Sequence, residues 1–329
     1  MGSPPARPAT MGIREKRTGR ARTNKPDLVF RLVTGLSAVV AIAVMLAIGG
    51  VLFQKSILSI HTFGWRFLVD NSWNPVLSRF GAAGSIYGTL VSTIIAMLLA
   101  APMGLIIALF LVELSHPVFS RIVGGAIELL AAIPSIIFGM WGLFVLVPIM
   151  QGHVQPFLQA KLGPIPILGA LFSGPPMGIG MLTAGIILAL MILPFITAVS
   201  REVLGMVPPV LKEAGHGLGG TMWEVTKKVS IPYGIRGIVG AMFLGLGRAI
   251  GETMAVTFVI GNAHQISASL YASGNSIASA IALEFGEALG DRLFESVLIE
   301  LGLILFLITF VFQVAAQMWI ARLKKHERG

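Results

Sequence analysis

The sequence predicts an all-α integral membrane protein with six transmembrane helices, and three observations carry that prediction. Of 329 residues, 55% are hydrophobic and only 12% are charged, whereas a soluble domain carries about 25% charged residues. The apolar residues gather in six blocks of twenty or more. At 1.5 Å per residue, about twenty apolar residues cross a hydrocarbon core of roughly 30 Å. Lys and Arg collect at the two ends and in one loop, with no amphipathic or aromatic-interleaved stripe, so the net charge of +9 reports topology and not nucleic-acid binding. The chain has no cysteine, which excludes a disulfide framework and a thiolate metal site.

Residues 1–27 are rich in Pro, Arg and Thr and include Arg14, Lys16, Arg17, Arg20 and Arg22. That composition cannot bury a core, so a disordered basic tail is expected. The first apolar block, Leu32–Phe53, is longer than a signal-peptide core and lacks a small-residue cleavage pattern, which predicts a retained anchor helix. Further spans are expected at Ile86–Val112, Val123–Met150, Ile179–Val199, Gly237–Ile260 and Val297–Ile320, so residues 28–329 form the membrane domain. The second and third blocks exceed a minimal span and should tilt, kink near Pro102 and Pro134, or project beyond the bilayer.

Orientation follows from counting Lys and Arg in the connecting segments. With the N-terminus inside, 18 lie in the inner segments and 5 in the outer ones. Positive residues flanking spans stay in the cytoplasm, so both termini are expected there. The outer segments 54–85, 151–178 and 261–296 are too small for an independent domain. Glu284, Glu287, Asp291 and Glu295 in the last of them read as a solvated acidic surface. No two of the six His share metal-ligand spacing on a helix, so no metal site is expected. Glu128 reads as a pairing or interface carboxylate.

The inner segment 201–236 carries helix punctuation. Pro208 and Pro209 suit a helix start, Val210–Leu218 reads as a short helix, and Gly219-Gly220 ends it. Thr221 with Glu224 forms a capping-box pattern opening a second helix through about Lys228. Ser230-Ile231-Pro232 is expected to close that helix. In the fifth block, Arg248 and Glu252 stand four residues apart, which on one continuous helix makes them neighbours. Charges at that depth must face protein or water. A pair that fastens helices and an anion-pathway site are both open at this point. Arg suits the second because its planar fork matches two oxygens of a phosphate.

Two motifs resemble a known family. Glu213-Ala214-Gly215, then Gly219, then Val229, Ile231 and Pro232 are similar to the EAA loop of ATP-binding-cassette (ABC) importer permeases, with Gly215 for Ala, Val229 for Ile and Ile231 for Leu. Gly-Leu-Gly-Arg-Ala-Ile-Gly-Glu-Thr-Met-Ala-Val at 245–256 resembles the signature of PstC-type permeases of phosphate-specific importers. Tyr87-Gly88-Thr89-Leu90 and Glu128 to Ser135 are also similar to that family. The resemblance implies a MetI-like permease fold that moves inorganic phosphate inward without itself being an enzyme. It also implies a PstA-type permease as heterodimer partner, a PstB-type ATPase dimer inside and a PstS-type phosphate-binding protein outside. Arg248, Glu252 and Thr253 would line the substrate pathway, and Glu213, Ala214, Gly215, Gly219, Ile231 and Pro232 would form the ATPase-coupling loop. ATP and Mg would belong to the partner, since this chain has no Gly-Lys pair and hence no P-loop. An ion-coupled secondary transporter or channel is the alternative, and it would need further intramembrane carboxylates where the spans offer mainly Glu252 and Glu128.

Overall fold

The computed structural model describes residues 25–166 and 168–326. Most of the basic tail expected at 1–27 lies outside the described residues. The chain divides into a unit ending at Gly50 and a larger one beginning at Val51. The first contributes helix from Lys25 onward, apolar and exposed along nearly its whole length, as a helix in lipid can be.

The helices run in the order α1 (Lys25–Phe63), α2 (Ala83–Leu114), α3 (Pro117–Ala131), α4 (Ser135–Leu162), α5 (Met181–Gly205), α6 (Pro209–Gly217), α7 (Met222–Ile250), α8 (Met254–Thr257), α9 (Ile277–Ala288) and α10 (Arg292–His326). Six of them, α1, α2, α4, α5, α7 and α10, are long and apolar enough to cross a bilayer. A two-residue antiparallel ladder pairs β1 (Trp73–Asn74) with β2 (Arg79–Phe80). The end of the bundle carrying α3 and α6 is termed proximal, and the end carrying residues 64–82 and 261–291 distal.

At the centre lies α5, with 61% of its apolar window buried, against 33% or less for any other span. Its partner α2 offers a ridge of small residues at every fourth position: Gly84, Gly88, Ser92, Ala96, Ala100, Gly104 and Ala108, all buried. Positions four apart share one helix face, and small side chains there let a second backbone approach closely. An ideal Cβ on Gly104 would stand 3.0 Å from Ile196 Cγ2, and one on Gly185 would stand 2.5 Å from Ile95 Cγ2. The same ridge serves the distal end. Thr89 Oγ1 accepts from the Ile277 amide at 2.9 Å, the Tyr87 hydroxyl donates to Ser267 O at 2.6 Å, and Gly88 lies under the Asn275 carbonyl. The Tyr-Gly-Thr run is therefore the seat of the 264–277 loop.

Two expected spans are differently drawn. The block Val123–Met150 is divided at residues 132–134, because Pro134 disfavours helical geometry in Ile133 and cannot donate to the preceding turn. The spanning helix accordingly starts at Ser135 and reaches Leu162. The block Gly237–Ile260 ends its long helix at Ile250. By contrast α2 runs through Pro102 unbroken.

Gly88→Ala places a methyl 2.0 Å from Asn275 O, a backbone atom that cannot step aside, and should cost about 1–3 kcal/mol as overpacking. Gly125→Ala, with nothing within 4 Å, should be neutral. Thermal denaturation of the two variants in one detergent checks the contrast.

Candidate functional site

At the proximal end residues 206–230 build a compact corner. Pro208 caps α6 and Pro209 opens it, where a missing N–H is no loss. Gly219 adopts φ +84°, the left-handed geometry that favours glycine, and its amide donates to His216 O at 2.9 Å. Thr221 then caps the next helix. The Glu224 amide donates to Thr221 Oγ1 at 3.4 Å, and the Thr221 amide donates to Glu224 Oε2 at 3.0 Å. Gly215 sits inside the corner, where an ideal Cβ would stand 3.0 Å from Val225 Cγ2. Glycine in place of the family's alanine thus lets α6 and α7 close together.

The helix expected to stop at Ser230-Ile231-Pro232 does not stop. A π-turn, Thr226–Ser230, carries α7 onward through Pro232, with the Ile231 amide donating to Thr226 O. Widening the turn absorbs the bond that Pro232 cannot make. The knob is thereby rigidly continuous with a membrane span. No side chain of α6 is buried, and Val210, Leu218 and Trp223 are exposed, Leu218 to 90%. Glu213 and Ala214 lie on this exposed helix.

The second feature is the end of α7. Gly237 meets Val203 and Gly245 meets Ile196, so α7 runs antiparallel to α5. Arg248, about 4.5 Å beyond Gly245, is level with Leu193, the middle residue of α5 (Met181–Gly205). It is exposed on this chain and has no ion-pair partner among the described residues. Gly240 and Gly247, on the same helix, have nothing within 4 Å.

Arg248 and Glu252 do not pair, because α7 ends at Ile250 and they do not share a continuous helix. The Glu252 carboxylate instead accepts from the Ala255 amide at 3.1 Å, capping α8, and Thr253 O accepts from the Thr257 hydroxyl and amide. The break is covered on one side by α4, where an ideal Cβ on Gly139 would stand 2.9 Å from Met254 O. Interrupted backbone at membrane depth is tolerated where protein buries it or where it lines a water-filled path.

Other side chains depart from their expected settings. Glu128 is a pairing carboxylate as expected, meeting Arg201 at 2.9 Å, but it does so from α3, outside the third spanning helix. Glu284 is no solvated carboxylate. It accepts from Trp73 Nε1 at 2.6 Å and meets His264 Nε2 at 2.8 Å, while Trp73 stacks on the His264 ring at 4.2 Å. Asp291 caps α10, accepting from the Leu293 and Phe294 amides. Glu300 is a further intramembrane carboxylate, buried in α10 beside Ser59 of α1. It was visible in the sixth apolar block as its one acidic residue. Also missed from the sequence is the pairing of Lys212 with Glu113, 99 residues apart, for which no sequence signal exists.

Residues 100–325 match the family described as "Binding-protein-dependent transport system inner membrane component". The chain belongs to that family. The permease is 51% identical over 297 residues, 90% of each chain, to a protein of Mesorhizobium japonicum named phosphate transport system permease protein PstC. It is 50% identical over 317 residues, 95% of this chain and 98% of the other, to a protein of the same name from Pasteurella multocida. A Methanocaldococcus jannaschii protein named a probable PstC is 34% identical over 302 residues, 90% of this chain and 94% of the other. In fold, the permease resembles a chain of a bacterial alginate ABC transporter, with a TM-score of 0.57 and 14% identity over 92% of this chain and 99% of that one. It is therefore a multi-pass inner-membrane permease subunit with the expected MetI-like fold.

Hydrogen bonds from the Thr221 amide and hydroxyl, aided by Lys228, hold the Glu224 carboxyl below its ordinary 4.5. A carboxyl lowered on folding stabilises the corner above its unfolded pKa, and that contribution is lost as pH falls through the folded value. The exchange-protection factor of the Thr221 amide should be constant near neutral pH and decline below about 4.5. Glu224→Gln should retain protection without that decline.

Proposed function

We propose that this chain is the PstC-type permease of a phosphate-specific ABC importer and passes inorganic phosphate inward. The observation that carries the reading is Arg248, a cation at mid-depth, exposed on an open glycine-bearing helix beside a break in the span. Facing lipid it would cost about 2.5–3.5 kcal/mol. A second permease or a water-filled path must therefore cover that face, and a dianion in a low-dielectric passage needs such a charge. The names of relatives at about half identity over nine-tenths of the chain support phosphate as the anion.

The partners follow from the chemistry that this chain lacks or leaves exposed. A PstA-type permease covers the Arg248 face and completes the passage. The excess of Lys and Arg supports a cytoplasmic proximal end with both termini, where the 206–230 corner meets a PstB-type ATPase dimer. That dimer supplies ATP, Mg and hydrolysis. A PstS-type binding protein delivers phosphate to the distal loops. Glu252 and Thr253 support the reading by holding the turn beside Arg248, so that a bound phosphate meets a preset geometry. Glu213, Ala214, Gly215 and Gly219 shape the docking helix, while Ile231 and Pro232 join it to α7.

Arg248→Gln should leave the complex assembled and reduce labelled-phosphate uptake by phosphate-starved cells to background. Uptake at the wild-type rate would remove Arg248 from the passage. Glu213→Lys should weaken co-purification of the ATPase or lower the phosphate moved per ATP. Unchanged values in both would take Glu213 out of the contact.

A further inference from the structure

The docking helix α6 presents an unusual mechanical problem. None of its side chains is buried, so apolar packing does not fasten it to the bundle, yet a helix that is pushed must be braced to move anything but itself. At its C-terminal side the brace is the corner with α7, through Gly215 and Val225. On its flank the brace is electrostatic. Lys212 Nζ lies 2.9 Å from Glu113 Oε1, at the proximal end of α2, with the two side chains 22% and 10% exposed. The approach is outside hydrogen-bond geometry, so the contact is a charge pair in a partly desolvated setting.

A second pair joins the neighbouring stretches of chain. From the last turns of α5, Arg201 Nη2 meets Glu128 Oε1 at 2.9 Å and Arg201 Nη1 donates to Ser120 O at 3.2 Å, both on α3. The guanidinium reaches Gly124 with Nη1 leading, in space an ideal Cβ would occupy: that Cβ would stand 1.0 Å from Nη1 and 2.3 Å from Cζ. Between Arg201 and Lys212 along the chain, Leu204 packs with Ala108 and Ile238, with Leu109 and Val112 alongside. Residues 201–212 are thus joined to residues 113–128 at two charged points around an apolar pivot.

We propose that Lys212 and Glu113 are positioning residues that transmit displacement of the docking helix to α2, and that Arg201 with Glu128 holds α3 to the same moving body. The inference rests on the importer reading above and adds the route by which motion leaves α6. The small-residue ridge of α2 lies directly against α5, so a shift received at Glu113 reaches the helix pair that forms the centre of the bundle. Removing one partner of a partly buried pair strands the other charge, whereas exchanging the two preserves the attraction.

The test uses the complete complex in proteoliposomes, with ATP hydrolysis and labelled-phosphate uptake measured together. Glu113→Lys and Lys212→Glu should each co-purify with the ATPase and hydrolyse ATP, with phosphate moved per ATP reduced at least about tenfold. The double exchange should recover most of that ratio. Glu113→Gln serves as a milder variant should the reversals assemble poorly, and a reduced ratio is expected there too. An unchanged ratio in the singles, or a double exchange no better than either single in an assembled complex, would overturn the tie. If the wild-type complex moves no phosphate at the expense of ATP, the importer reading itself is refuted, an outcome separate from any behaviour of the variants.

Discussion

The close packing of α2 on α5 is the contact on which the remainder of the molecule depends. In lipid, apolar side chains gain nothing by leaving one hydrocarbon environment for another, so helices associate through van der Waals fit and hydrogen bonds. The seven small residues at four-residue intervals on α2 supply that fit, and α5 becomes the most buried span as a result. Once the pair is closed, Gly237 and Gly245 of α7 find Val203 and Ile196 of α5. The distal loop finds Gly88 and Thr89 at the other end of the ridge.

A tightly packed centre also makes the two interruptions possible. The break at 132–134 precedes the span that starts at Ser135, whereas the one at 251–253 leaves backbone groups at membrane depth that lipid cannot satisfy. The second is met by the Glu252 carboxylate and by the approach of α4 through Gly139. Family-level similarity in the 245–256 run thus has a physical content different from a helical ion pair. Glycine ends the long helix, glutamate caps the short one, and arginine has no ion-pair partner among the described residues. A cation at that depth has to be covered by protein or by water.

The proximal end obeys a different constraint, because the 206–230 corner is exposed and still rigid. Rigidity comes from backbone devices that need no burial: a proline start, a left-handed glycine, a capping box and a π-turn that carries the helix past Pro232. Burial is replaced by charge, through Lys212 with Glu113 and Arg201 with Glu128.

The sequence by itself determined the solvent of this protein, the number of its spans, the punctuation of the 208–224 corner and the residues worth watching at 245–256. These are properties of local composition and periodicity, which hydrocarbon thickness and backbone stereochemistry read directly. Tertiary structure alone decided where Glu128 and Lys212 find their partners and that Glu284 is held by Trp73 and His264. It also decided that α7 runs through Pro232 yet ends at Ile250. Each of these depends on groups brought together from 20 to over 200 positions away, or on which strained turn the surrounding packing tolerates. A proline reads the same in the sequence whether its helix breaks, as before Ser135, or widens by one residue and continues, as at Pro232. The neighbours that accept the freed backbone groups make that choice.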